Sequence, residues 1–129
     1  MYVLDTHALM LYWFQTWALP RLARSILEQG EQYMTELVVP TMALVEALRL
    51  VPQYSRGATT IPEFLDEVEA RDYLRVEPMG IEHVRLLPQL EGIPELHDRI
   101  IASHAVALDA ILLTPDQNLR GSSLVECVW

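Results

Sequence analysis

Apolar residues along the chain fall into short runs, separated by longer stretches in which they recur every three or four positions. The first run, YVL at 2–4, reads as a strand and leads into HALMLYWFQTW at 7–17, which predicts a helix. Pro20 suits the first turn of a second helix, RLARSILEQ, where Leu22, Ile26 and Leu27 keep helical spacing and Gly30 is the expected stop. ELVVP at 36–40 reads as a strand, and Thr41 as the cap of a helix TMALVEALRLV. The stretch from Pro52 to Thr60 has the composition of a loop. Thr60 then caps IPEFLDEVEAR, with Pro62 in its first turn. YLRVEPM carries a short strand and GIEHVRLLPQL a short helix. A longer helix follows in ELHDRIIASHAVALD at 95–109, then a buried strand AILLT, a brief helical turn in DQNLR, and a last strand in LVECVW.

Strands separated by helices predict βαβ units, and so a mainly parallel sheet covered on both faces. The expectation is a three-layer α/β/α fold. A length of 129 residues suits one domain, 1–129, with a proper core. No apolar run reaches the roughly 18 residues of a membrane-spanning helix. ALMLYWF lacks a preceding basic segment, which argues against a signal peptide. The single cysteine, Cys127, excludes an intrachain disulfide and suits a reducing cytoplasm.

Charge narrows the chemistry. The net charge of −9 argues against a broad basic face for nucleic acid. All nine basic side chains are arginines, and the absence of lysine excludes Schiff-base catalysis and a P-loop.

Four acids stand in apolar surroundings. Asp5 is wedged between two apolar stretches at the end of the first strand. Glu46 is one of the few polar residues in a helix that is apolar nearly all round, so it is expected to point inward. Asp98 lies in the first turn of the long helix, and Asp116 follows the strand AILLT by two residues. In an open parallel sheet, functional groups collect beyond the carboxyl ends of the strands, where all four could converge. Carboxylates held that close raise one another's pKa unless a cation intervenes. Magnesium or manganese, with oxygen ligands and water, would resolve the repulsion and suit phosphoryl transfer. Each acid also has a structural reading. Asp5 suits a cap for the next helix, Glu46 a pair with Arg49, Asp98 the favourable end of a helix dipole, and Asp116 a turn.

MYVLDTHAL, PTMALVEAL, ELHDRIIASHAVALDA and LLTPDQNL together resemble the four acidic motifs of PIN domains, in order and spacing. LHDRIIA is the most specific of them, and looks like the start of the long helix in VapC-like toxins. The resemblance covers essentially the whole chain. It implies an Mg²⁺- or Mn²⁺-dependent endoribonuclease, silenced by a small VapB-like antitoxin. It also implies that Asp5, Glu46, Asp98 and Asp116 are the metal-binding acids, with Thr6 and Thr114 as hydrogen-bonding supports. Pro115 and His104 depart from the family pattern. His104 is read as a helix-surface or satisfied histidine; His7 and His97 each flank a key acid and could touch phosphate or metal, but are read first as structural neighbours. Asp109 is expected at a helix end, in solvent.

Two other classes compete: a phosphotransfer domain acting through an aspartyl-phosphate, and a non-catalytic interaction domain with a PIN-like fold. Thr-His after Asp5, in place of a second acid, disfavours the first. RNA contacts would fall to scattered arginines, with Arg99 and Arg120 flanking the rim and Arg56 on a loop. Leu11, Tyr12, Trp13, Phe14 and Trp17 offer more apolar surface than one helix face buries. They either fill the core or form a two-fold homodimer.

Overall fold

The computed structural model describes residues 1–129. Five parallel strands form the sheet: β1 (Tyr2–Leu4), β2 (Leu37–Pro40), β3 (Leu74–Glu77), β4 (Ile111–Leu113) and β5 (Cys127–Val128). Their spatial order is β3-β2-β1-β4-β5. Seven helices flank it: α1 (Thr6–Phe14), α2 (Arg21–Glu31), α3 (Thr41–Tyr54), α4 (Ile61–Ala70), α5 (Ile81–Leu86), α6 (Leu96–Leu108) and α7 (Gln117–Arg120). Every residue of β2 is buried, as the apolar run LVVP requires of an inner strand covered on both faces. This is the three-layer arrangement that the alternation of strands and helices predicts.

Several boundaries differ from the sequence reading for local reasons. α1 stops at Phe14, and Thr16–Ala18 forms a separate 3₁₀ turn. Gly30 does not stop α2 but lies inside it, buried; a Cβ there would stand 2.2 Å from Leu37 Cδ1. The glycine is a point of close approach between α2 and β2. Thr41 is not a cap: Pro40 holds that position, and the Thr41 hydroxyl donates instead to the Glu77 carbonyl at 3.1 Å. α3 runs through Pro52 to Tyr54, where loop was expected. Pro52 lacks the N–H that would bond back to the Leu48 carbonyl, and α3 ends two residues later. Thr60 and Glu63 do form the reciprocal cap of α4. β5 is only two residues long.

The core fills the space between sheet and helices, from Leu4, Leu9 and Val38 to Phe64, Ile101 and Leu112. Leu11, Tyr12, Trp13 and Phe14 pack against it. Trp13 meets Phe64 edge-on at 5.3 Å and lies beneath the Arg71 guanidinium. Trp17 alone of the five stays exposed, at 74%.

His104 is not on the surface. It is fully buried, stacked on His83 at 3.9 Å between α6 and α5. Its Nδ1 donates to the Ile100 carbonyl at 2.9 Å, while Nε2 has no hydrogen-bond partner. Burial lowers its pKa and so favours the neutral ring. Asp109 ends α6 in the left-handed conformation, φ +50°, and is exposed, as expected.

Candidate active site

Chain order and spatial order separate at β1. β2 and β3 lie on one side of it, β4 and β5 on the other, so the gap between β1 and β4 is the topological switch point of the sheet. Leu4 and Leu113 pair across it. The next residues, Asp5 and Thr114, therefore emerge side by side at the carboxyl edge.

Asp5 is 3% exposed and fully engaged. Its Oδ1 accepts from the Ala8 N–H at 2.7 Å, capping α1, and its Oδ2 accepts from the buried Thr114 hydroxyl. Thr114 Oγ1 in turn accepts from the Asp116 N–H at 3.0 Å, and Asp116 Oδ1 from the Asn118 N–H at 2.8 Å. From the other side, Thr6 donates to Glu46 Oε1 at 2.8 Å. Glu46 Oε2 stands 3.8 Å from His97 Nδ1, and that histidine, not Arg49, is its neighbour. Asp98, half-buried in the first turn of α6, faces the same space.

The cleft they enclose has a volume of about 590 Å³. Asp5, Thr6, Glu46, Asp98 and Asp116 line it, and Thr114 sits behind Asp5 as a support. The sequence reading missed Glu95, named Arg49 only as a partner for Glu46, and favoured a structural role for His7 and His97; all four line the cleft. Glu95 was legible in principle, one turn before Asp98 at the start of the same helix. Arg99 belongs elsewhere: its guanidinium turns back to the carbonyls of Ile93 at 2.5 Å and Pro94 at 3.2 Å, and is absent from the cleft lining.

Crowded carboxylates leave a mark. Asp98 is pushed up to about 6, first by burial and then by the charges of Asp116, Glu46, Asp5 and Glu95. Burial also raises Asp5 to about 6, against the opposing pull of the Ala8 N–H and the Thr114 hydroxyl. No three acid, histidine or cysteine side chains form a ready-made ligand cluster. The donor chemistry nevertheless fits a hard divalent cation: carboxylate oxygens around an open cleft, with charge repulsion for a cation to relieve. With ligands so spaced, the ion would keep several waters, as magnesium does.

The sequence matches the PIN domain family over residues 2–121. The chain belongs to the PIN domain family. Its fold is similar to that in the crystal structure of VapBC2 from Rickettsia felis bound to a DNA fragment from the promoter. That match has TM-score 0.73 and 19% identity, covering 98% of this chain and 96% of that one. It is also similar to the toxin-antitoxin complex from Klebsiella pneumoniae (TM-score 0.66, 16% identity, 97% and 95% covered). FitAcB from Neisseria gonorrhoeae matches with TM-score 0.69 at 15% identity, 98% and 96% covered. No curated protein sequence matches the chain. PIN domains are generally nucleases and generally use divalent metal ions.

Proposed function

We propose that this PIN domain, one unit over residues 1–129, is a cytoplasmic endoribonuclease that uses Mg²⁺ or Mn²⁺ held by Asp5, Glu46, Asp98 and Asp116. The observation that carries this reading is the convergence of the four acids on one cleft at the switch point, two of them with raised pKa values. When bound, the ion supplies an activated water and offsets charge on the phosphodiester. The chain's own residues do the rest. The Ala8 N–H and Thr114 fix Asp5, Thr6 fixes Glu46, and the Asn118 N–H fixes Asp116, so three carboxylates are oriented before substrate arrives.

The purified protein should cut RNA only with Mg²⁺ or Mn²⁺ present, and Asp98→Asn should lose at least about a hundredfold in rate. Cutting that persists in excess EDTA, or that both Asp5→Asn and Asp98→Asn leave intact, rejects the proposal.

One of the similar folds comes from a toxin-antitoxin complex and another from VapBC2, and we extend that arrangement to this chain as a toxin with a small VapB-like antitoxin partner. A concave acidic cleft suits an arginine-bearing segment, whose guanidinium can bridge two carboxylate oxygens. In the same experiment carried into cells, expression alone should arrest growth, and co-expression of the partner should relieve it. A two-fold homodimer completes the proposal, now resting on Trp17 alone among the aromatic residues of the first helices.

A further inference from the structure

A strand of nucleic acid brings one negative charge per nucleotide to a chain whose own net charge is −9. Nine arginines are the strong cations available. Four are engaged within the fold. Arg24 donates to the Thr16 carbonyl, Arg71 pairs with Glu67, Arg75 holds Glu36 and Glu77, and Arg99 holds the Ile93 and Pro94 carbonyls. Of the other five, only Arg49 lines the acidic cleft. It is exposed and pairs with no acid.

Arg49 lies three residues after Glu46 on α3, hence on the same side of the helix and about 4.5 Å further along its axis. Tyr54, five residues further on and about 140° round the helix, turns its hydroxyl to His7 Nδ1 at 3.4 Å and does not continue that face. The two histidines of the cleft already have neighbours, His97 facing Glu46 and His7 the Tyr54 hydroxyl. Arg49 is thus left as the one permanent cation beside the reaction centre with nothing to bind in the free protein.

We infer that Arg49 grips the backbone phosphate next to the one attacked, so that the substrate strand leaves the acids along the Arg49 side of α3. The inference rests on the nuclease reading and adds a residue and a strand path to it. A guanidinium suits the task because its planar fork meets two phosphate oxygens at once, which an ammonium does not.

The test separates binding from turnover. In an Asp98→Asn background, which stops cutting, affinity for a short fluorescein-labelled single-stranded RNA is measured by anisotropy over a range of salt concentrations. Adding Arg49→Ala should weaken binding about tenfold. It should also flatten the slope of log affinity against log salt by about 0.7, the release expected for one phosphate contact. Arg49→Lys should keep the slope and lose part of the affinity, and Arg85→Ala, outside the cleft, should change neither. With Asp98 intact and Mn²⁺ present, Arg49→Ala should raise KM with little effect on kcat, at an unchanged melting temperature. Unchanged affinity, slope and KM in Arg49→Ala overturn this inference and leave the nuclease reading standing. RNA neither bound nor cut with Arg49 intact overturns both.

Discussion

Asp5 caps α1 through one carboxylate oxygen and takes the Thr114 hydroxyl on the other, so the structural and functional readings of its position describe the same carboxylate. Helix capping orients it, and burial at the strand end raises its pKa. Asp98 has no such fixing bond, and the charges around it dominate after burial. Both stand near 6 against an ordinary 3.8. Between about pH 4 and 6 the folded, metal-free protein therefore holds protons that the unfolded chain has released. Its stability should fall as pH rises through that window and level off above it. Asp98→Asn should shrink the fall and raise the melting temperature at neutral pH by a few degrees in EDTA. Added Mg²⁺ should then stabilise the wild type more than the variant, since an ion that binds the folded state adds to its stability. Thermal melts of both proteins across pH, with EDTA and with Mg²⁺, check this. A variant that melts earlier in EDTA, with no response to Mg²⁺ in either protein, would mean that Asp98 serves only the helix start. At this scale the acids were legible because a charge among apolar residues needs a reason. The turn of Arg99 onto two carbonyls, and the burial of His104 against His83, were not, because neither leaves a pattern in neighbouring residues.

Among the elements, the errors of sequence reading cluster where tertiary contact overrules local preference. Gly30 looks like a helix stop by composition, yet its function is to let α2 approach Leu37 in an inner strand. Gly30→Ala gains about 1 kcal/mol of helix propensity. It also drives a methyl into Leu37 Cγ and Cδ1, at 2.4 and 2.2 Å, where overpacking costs about 1–3 kcal/mol. Leu37 is fully buried and has little room to give, so the variant should be less stable on balance, with an earlier urea midpoint. A later midpoint would show that Leu37 can turn aside. Pro52 misled in the opposite sense, since a proline near the last turn of an otherwise well-packed helix is tolerated. By contrast, the Thr60–Glu63 cap was readable because it is built entirely from residues three apart.

For the whole molecule, alternation of strands and helices was enough to give a parallel sheet, since parallel neighbours need a crossover and helices supply it. Strand order was not readable, because β1 could have stood anywhere in the sheet. The aromatic surface of α1 also resolved only in three dimensions, with Trp13 and Phe14 spent on Phe64 and Trp17 left in solvent. If Trp17 sits in a two-fold interface, sedimentation at tens of micromolar should give a dimer, and Trp17→Ala should shift it to monomer. A wild type that sediments only as monomer removes the dimer from the proposal.

The central place of β1 has a consequence in time. The hydroxyl that holds Asp5 comes from Thr114, 109 residues later in the chain. At ordinary rates of translation, about 5–20 residues per second, Asp5 is added to the chain roughly 5–20 s before Thr114 is made. Through that interval the middle strand lacks its β4 neighbour, and the carboxylates on the two sides of the switch point cannot meet. The cleft of the proposed nuclease is therefore complete only after the chain has been made through Asp116, near its end.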